Sequence, residues 1–243
     1  MDIPIRTPMI IRTGPGIIIM TIEAVQPEHL QRLATWFGPS FPVGAFSYSH
    51  GLEAAFEERL VTDGRELQDW IEGLVFFGSA RNDAILFVQT HRCFPEMAEV
   101  IAIGAALSPS SELRAETLNQ GEAFVRAVQH GWPAINLQQR IGRRPVALPV
   151  AAGAACAAVG IPLQPGLIAY LHAFAASVVS AALRCMPIGQ NTGLEVQAAL
   201  EPVITLAAEQ ALDAPLDELG SGTPMLDWLS ATHETQYSRL FRS

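Results

Sequence analysis

Apolar side chains recur at the spacing of an α-helix along most of this chain. Leu30, Leu33, Ala34 and Phe37 stand at positions i, i+3, i+4 and i+7, which is the pattern of one buried helical face. Thr62 is the expected N-cap of a second helix, because a threonine side chain can accept a hydrogen bond from a free backbone N–H group at a helix start. The apolar face of that helix consists of Leu67, Trp70, Ile71, Leu74 and Val75.

The same pattern predicts further helices as far as residue 212. Asn82 and Asp83 are placed to cap a helix whose apolar face includes Phe87 and Val88. Beyond it, helices are predicted at residues 96–107, 108–131, 149–159, 165–186 and 193–212. Residues 134–149 carry several arginines and prolines and are predicted to be a loop.

Only residues 16–22 alternate at the period of two that a strand requires. The fold is therefore predicted to be all-α, a single helical-bundle domain of about eight to ten helices. Residues 1–22 are predicted to be a flexible N-terminal extension, and Met20 is a second candidate start for the chain. Residues 23–212 form the predicted helical domain, and residues 213–243 form a linker followed by a docking C-terminal segment.

One short stretch, residues 40–53, interrupts the regular pattern with the sequence SFPVGAFSYSHGLE. Pro42 disfavours helical backbone angles at Phe41, and Gly44 permits angles that are closed to other residues. A helix that begins near Gly44 would place His50 and Glu53 on one face. This stretch is too punctuated for a core helix and too close to apolar sequence for a linker.

The pair His50 and Glu53 could supply two ligands of a metal site from one helical face. No further ligands stand at a readable spacing, so a structural or interface role is favoured over a metal site. Cys93, Cys156 and Cys185 are widely separated, which is typical of reduced thiols in the cytoplasm rather than of a disulfide framework or a zinc site. No metal site is predicted in this chain.

The composition of the chain excludes several classes of function. Hydrophobic residues make up 49% of the chain and charged residues only 16%, which indicates apolar surface reserved for other subunits. The net charge of −9 disfavours nucleic acid as a partner. All basic residues other than histidine are arginine, and the absence of lysine excludes a phosphate-binding GK[ST] loop and Schiff-base chemistry. These exclusions do not extend to an arginine of this chain that acts on a nucleotide bound to a partner.

The predicted helix at residues 165–186 is apolar and long enough to raise the question of a membrane span. Tyr170, Ser177, Ser180 and Arg184 nevertheless share one face of it. This polar stripe favours the central helix of a bundle that faces a partner or a water-filled channel, and no membrane partner is predicted. The alternative is a buried helix whose hydroxyl groups and arginine are satisfied inside the domain.

The C-terminal segment begins with a motif that resembles half of a zinc-protease site. His233 and Glu234 match the start of H-E-x-x-H, but Tyr237 replaces the second histidine, so this class of enzyme is excluded. The remaining tail is amphipathic, with tyrosine and arginine side chains of the kind that anchor interfaces. Docking on a partner and packing on the domain's own core are both open. The tail residues in question are Tyr237, Arg239, Leu240, Phe241 and Arg242.

Three segments together resemble a known family. Residues 40–53 are similar to the signature of the UreF family of urease accessory proteins. Residues 182–190, ALRCMPIGQ, are similar to the family's second motif, and residues 225–243 resemble its C-terminal tail. Ala45 and Cys185–Met186 depart from the family pattern at positions without a charged group. The three motifs stand in the family's order, and the resemblance covers the chain from about residue 28 to its end.

The resemblance implies a non-catalytic, cytoplasmic chaperone for nickel insertion, usually a homodimer, with no cofactor of its own. Family members bridge UreD (also called UreH) and the GTPase UreG on apo-urease, and nickel is passed on within the complex, in a tunnel that suits the polar stripe. Carried over by position, the tail would dock on UreD, while Arg184, Gln190 and residues 40–53 would face UreG and the dimer partner. The implied partner-binding residues are Ser40, Phe41, Pro42, Gly44, Phe46, Ser49, His50, Gly51, Glu53, Tyr170, Arg184, Gly189, Gln190, His233, Glu234, Tyr237, Arg239, Leu240, Phe241 and Arg242.

Two other functions remain alternatives. One is a nickel storage or delivery protein that binds the metal through His50, Glu53, His233 and the cysteines. The other is a GTPase-activating regulator of UreG, in which Arg184 would act on the nucleotide of that partner.

Overall fold

The computed structural model describes residues 6–13, 16–23, 25–108, 110–233 and 239–242, and before residue 25 it describes only the course of the backbone. Two strands, β1 (Arg6–Thr13) and β2 (Gly16–Glu23), pair in antiparallel register, with Arg6 opposite Glu23. The sequence pattern anticipated a strand only in residues 16–22. Flexibility of residues 1–22 stays a prediction.

From residue 25 onward the described chain is all-α, which confirms the predicted fold class. It contains three short 3-10 turns and eleven α-helices. The helices are α1 (Pro27–Trp36), α2 (Leu52–Glu57), α3 (Gly64–Phe77), α4 (Ser79–Cys93), α5 (Ala98–Ala106), α6 (Ser111–Gly131), α7 (Leu137–Ile141), α8 (Leu148–Ala158), α9 (Leu163–Cys185), α10 (Gln190–Asp213) and α11 (Pro224–His233).

Helix α9 lies at the centre of the bundle, as the sequence predicted. It packs against α10, α4 and α8, and more lightly against α2 and α3. Among the described residues it is the one helix long and apolar enough to cross a bilayer, and half of its most apolar stretch is buried inside the domain. Its hydrophobicity is therefore explained by packing between other helices.

Small residues allow the neighbouring helices to approach closely. A side chain at Gly121 on α6 would place its Cβ 2.0 Å from the carbonyl oxygen of Val146, just before α8. A Cβ at Gly153 on α8 would lie 2.7 Å from the carbonyl oxygen of Phe87 on α4. Both distances are far below van der Waals contact, so these two helix contacts require glycine.

The structure corrects the predicted cap of α3. Asp63, not Thr62, is the N-cap, and its carboxylate accepts a hydrogen bond of 2.9 Å from the backbone N–H of Glu66. The Glu66 carboxylate reaches back and accepts hydrogen bonds of 2.7 Å from the N–H and the hydroxyl of Thr62. Thr62 thus completes the capping arrangement from one position earlier.

Two other local predictions are wrong. Helix α4 begins at Ser79, so Asn82 and Asp83 lie inside it and do not cap it. Their side chains make tertiary contacts instead, Asp83 with Tyr170 and Asn82 with Gly220. The region predicted as a loop, residues 134–149, contains α7. Its one turn is held by Leu137 and Ile141, an apolar pair at i and i+4 that is almost fully buried.

The segment before α11 is tied to α4. The guanidinium of Arg81 binds the Glu218 carboxylate at 2.7 Å and donates to the Glu218 carbonyl oxygen at 2.8 Å. The side-chain oxygen of Asn82 accepts from the backbone N–H of Gly220 at 3.0 Å. These contacts position α11, which packs on α2 and α6. Flexibility of the linker stays a prediction.

Candidate partner-binding site

The punctuated stretch of residues 40–53 forms a turn that leads into α2. Gly44 has a φ of 80° and starts a 3-10 turn, Ala45–Ser47. His50 and Gly51 then both adopt positive φ angles, 54° and 76°, and α2 begins only at Leu52. The prediction that His50 and Glu53 share one helical face is therefore wrong, because left-handed backbone at two successive residues separates them.

His50 turns towards α6 and α9. Its Nε2 lies 3.2 Å from a carboxylate oxygen of Glu116, which also accepts from Gln120 at 3.0 Å. The imidazole packs against the ring of Phe174, with 4.6 Å between the ring centroids. Burial lowers the pKa of His50 to about 4, so the ring is neutral near pH 7 and donates from Nε2 to Glu116.

Glu53 turns towards the C-terminal tail. Its carboxylate accepts hydrogen bonds from the backbone N–H groups of Leu240, at 2.7 Å, and Phe241, at 3.0 Å. The same carboxylate lies 3.1 Å from Nε2 of His233, the last residue of α11. One carboxylate in α2 therefore holds the end of α11 and the tail that follows it, with charge-assisted hydrogen bonds.

His233 connects this carboxylate to α6. Its side chain is fully buried, and Nδ1 lies 2.9 Å from the Glu112 carboxylate. His233 thus lies between a carboxylate of α2 and a carboxylate of α6. Arg239 of the tail also binds Glu112. Two basic side chains, His233 and Arg239, therefore lie against two acidic ones, Glu53 and Glu112. We call Glu53, Glu112, His233 and Arg239 the tail clamp.

Arg184, at the end of α9, joins the turn to the tail from the other side. Its guanidinium donates to the carbonyl oxygen of Phe46 at 2.5 Å and to that of Ser180 at 3.1 Å. It also lies over the Phe241 ring, 4.4 Å from the centroid. The backbone N–H of Arg242 donates to the carbonyl oxygen of Ser47 at 2.8 Å. The three motifs of the resemblance therefore meet in one place.

Exposure divides the implied partner-binding residues into two groups. Residues at the surface can touch a partner directly, and the buried ones can act only by holding the surface in shape. Phe46 and Leu240 are the most exposed apolar side chains of the set, at 72% and 62%. Glu234 and Tyr237 lie outside the described residues. The exposed group is Ser40, Pro42, Gly44, Phe46, Arg184, Gly189, Gln190, Arg239, Leu240 and Arg242. The buried group is Phe41, Ser49, Gly51, Glu53, Tyr170, His233 and Phe241, and His50 is half-buried.

The polar stripe of α9 is satisfied largely inside the domain, and it also borders a cavity. The Tyr170 hydroxyl donates to Asp83 at 2.6 Å, and the Ser177 hydroxyl donates to the carbonyl oxygen of Phe174 at 2.7 Å. Tyr170, Ser177 and Ser180 line a cavity of about 1550 Å³ between α1, α4, α6, α9 and α10. Burial raises the pKa of Asp83 to about 7, against the opposing effect of its bond with Tyr170, and nearby Glu116 adds to the rise.

Sequence reasoning missed the acidic residues that complete the site. Glu112 and Glu116 stand at i and i+4 on α6, and each binds one of the two histidines. Their spacing marks one helical face, but nothing in the sequence indicates which histidine that face meets. In the part of the chain that the structure describes, no three histidine, cysteine or acidic side chains are grouped so that they could hold a metal ion.

Comparison with known sequences agrees with the resemblance to the UreF family. The sequence model of the UreF family matches residues 61–201. A urease accessory protein UreF of Rhodopseudomonas palustris (strain HaA2) is 40% identical over 229 residues, which cover 91% of this chain and 97% of the relative. The UreF of Bradyrhizobium diazoefficiens is 39% identical over 242 residues, 97% of this chain and 100% of the relative. That of Methylobacterium sp. (strain 4-46) is 45% identical over 218 residues, 87% of each chain.

Proposed function

The chain belongs to the UreF family of urease accessory proteins, and we propose that it is a non-catalytic chaperone that bridges UreD (UreH) and the GTPase UreG during nickel insertion into apo-urease. The observation that carries the proposal is that the C-terminal tail is held against residues 44–53. Arg184 joins Phe46 of the turn to Phe241 of the tail, and Glu53 of α2 binds the backbone of Leu240 and Phe241. Two exposed recognition segments are thereby held in one fixed relation, as a bridging protein requires.

The C-terminal side of this surface suits docking on UreD. Met225 and Trp228 on α11 are exposed at 54% and 55%, and Leu240 is exposed at 62%. Large exposed apolar side chains, and tryptophan above all, are typical anchors of protein interfaces. Arg239 and Arg242 are exposed and flank Leu240 and Phe241 in the chain, so the tail combines an apolar anchor with positive charge.

The surface formed by the turn at residues 44–51 and the start of α10 suits docking on UreG. Phe46 projects from the turn, and Arg184 holds the backbone of that residue. Gly189 and Gln190, at the start of α10, are exposed. Because the Arg184 guanidinium already binds two carbonyl oxygens and the Phe241 ring, a bracing role explains its position without action on the partner's nucleotide. Replacement of Arg184 would then weaken the UreG complex rather than slow GTP hydrolysis within an intact complex.

Nickel is, in this proposal, a cargo of the assembled complex and not a resident cofactor of this chain. We further propose a cytoplasmic homodimer, since the exposed apolar side chains and the low content of charged residues favour burial against other subunits. Light scattering of the purified chain tests the dimer, and a concentration-independent mass of one chain would contradict it.

Recovery of partners with the tagged chain tests the bridge. Trp228→Ala and Leu240→Ala remove exposed side chains, so the fold is retained, and at least tenfold less UreD is expected to be recovered. Leu206→Ala is the matched control, because Leu206 is similarly exposed on α10, at 48%. Phe46→Ala is expected to lower recovery of UreG while UreD stays bound. Equal recovery of UreD with Trp228→Ala, Leu240→Ala and the control Leu206→Ala would overturn the assignment of the docking surface.

A further inference from the structure

Part of the large cavity is lined by acidic and aromatic side chains, Asp83, Glu116, Trp36, Phe124 and Tyr170, which take no part in the exposed docking surfaces proposed above. Its aromatic walls are packed together: the Phe124 ring lies 6.2 Å from Trp36 and 5.3 Å from Phe41, centroid to centroid. Phe37 lies against the ring of Tyr170 at 5.8 Å. Tyr170 binds Asp83, and Asp83 is electrostatically coupled to Glu116. Two carboxyl groups therefore stand within a wall of aromatic rings.

The carboxyl side chains that line this cavity give it a negative charge. Its described lining residues include four acids, Asp83, Glu116, Glu201 and Asp227, and neither arginine nor lysine. His50 is neutral at pH 7, since burial lowers its pKa to about 4. Negative carboxyl groups and the negative faces of aromatic rings both attract a cation.

Several polar atoms around the cavity have no hydrogen-bond partner. Within the described chain, five buried side-chain nitrogen or oxygen atoms are unpaired, and three of them belong to residues that line this cavity: Trp36 Nε1, His50 Nδ1 and Ser79 Oγ. Trp36 is only 2% exposed. An unpaired indole N–H at such a depth is costly, because a buried donor loses its water without gaining an acceptor. A bound molecule with an acceptor atom would satisfy it.

We propose that the part of this cavity lined by Trp36, His50, Ser79, Asp83 and Glu116 binds a small organic cation that also carries a hydrogen-bond acceptor. The ammonium or guanidinium group lies among the two carboxyl groups and the aromatic rings, while the acceptor atom meets the Trp36 N–H. A bare metal ion is disfavoured, because no three metal-ligating side chains converge among the described residues. Several residues of the cavity lining are exposed, Leu30 and His172 among them, so a ligand can enter from the solvent.

The protonation of Asp83 also favours the binding of an organic cation. Asp83 faces Tyr170 on α9 and Glu116 on α6, and burial holds its pKa at about 7. An alkylammonium group stays protonated well above pH 8. Such a ligand would meet a mostly protonated Asp83 at pH 6 and a mostly ionised one at pH 8. Binding is therefore expected to be about tenfold tighter at pH 8 than at pH 6.

Titration calorimetry of the full chain with tyramine tests the proposal, because tyramine joins an ammonium group to an aromatic ring with a phenolic oxygen. The uncharged counterpart, 4-ethylphenol, is expected to bind at least tenfold more weakly. Asp83→Asn keeps an acceptor for the Tyr170 hydroxyl, so it retains the fold while weakening tyramine at least tenfold. Asp69→Asn is the control, since Asp69 is exposed and outside the cavity lining.

Three results would overturn the cation site. They are equal binding of tyramine and 4-ethylphenol, an unchanged affinity in Asp83→Asn, and saturable Ni²⁺ binding that depends on Asp83 while tyramine gives no heat. None of these results bears on the recovery of UreD or UreG, so the bridging function is tested separately.

Discussion

Glu53 and His233 are separated by 180 positions in the chain, and a hydrogen bond of 3.1 Å joins Glu53 Oε2 to His233 Nε2. The contact fastens the end of α11 to the start of α2. Because the same carboxylate binds two backbone N–H groups of the tail, Glu53 determines where the last residues of the chain lie.

Replacing Glu53 with glutamine should release the tail. Both carboxylate oxygens of Glu53 accept hydrogen bonds, from Leu240 at one and from Phe241 and His233 at the other. Glutamine keeps only one acceptor oxygen and turns an NH2 group towards a donor, so at least one of these bonds is lost and the rest lose their charge. A loss of about 3 kcal/mol in the free energy of unfolding is therefore expected. Urea denaturation measures the loss, and hydrogen exchange of the Leu240 and Phe241 amides measures the release. Glu57→Gln, on the exposed side of the same helix, is the control. Unchanged exchange at both amides would contradict the role given to Glu53.

Two glycines in the turn should differ in their tolerance of alanine. Gly44 and Gly51 both have positive φ, but a Cβ at Gly44 meets nothing within 4 Å, whereas one at Gly51 lies 3.3 Å from the backbone nitrogen of Ser230 on α11. Gly44→Ala is expected to cost about 1 kcal/mol from backbone strain alone. Gly51→Ala should cost about 1 kcal/mol more, since it also displaces α11. Equal unfolding free energies for the two variants would show that close packing on α11 is unimportant.

Arg184→Ala should destabilise the contact between the turn and the tail. It removes the hydrogen bond to the Phe46 carbonyl and the packing over Phe241, and a loss of about 1 kcal/mol is expected for an exposed cation on an aromatic ring. Arg126→Ala, which removes an exposed pair with Glu122 on α6, should change stability by less than about 0.5 kcal/mol. Thermal unfolding of both variants gives the comparison, and the expectation fails if the two midpoints shift alike.

Stability should depend on pH through Asp83 and His50 in opposite directions. The pKa of Asp83 is raised to about 7 by burial, so the folded chain holds a proton that the unfolded chain releases, and stability falls as pH rises from about 4 to 7. The pKa of His50 is lowered to about 4 by burial. The unfolded chain then binds the extra proton, and stability falls as pH drops from about 6.5 to 4.

The Asp83→Asn variant separates these two effects. It removes the slope due to Asp83 and keeps that of His50, so its stability should rise more steeply with pH than that of the parent chain between pH 4 and 6.5. Urea midpoints at several pH values measure both slopes. Parallel curves for the parent and the variant would show that Asp83 titrates at its ordinary pKa in the folded protein.

Hydrophobic periodicity and three short motifs were sufficient to predict the helical class, the approximate places of the long helices and the family. Helical periodicity is a local property, so the faces of α1 and α3 could be predicted from neighbours in the chain. The same reasoning failed where a polar side chain binds a distant partner. Asn82 and Asp83 resemble cap residues in sequence, yet they bind Gly220 and Tyr170 from within α4.

The contacts of His50, Glu53 and His233 became apparent only in the folded chain. In sequence, His50 and Glu53 formed half of a possible metal site and His233 half of a broken zinc motif. Packing of α11 on α2 and α6 instead pairs Glu53 with His233 and brings Glu112 and Glu116 against the two histidines. Electrostatic pairing depends on distances in space, and the order of residues in the chain does not specify which carboxylate meets which ring.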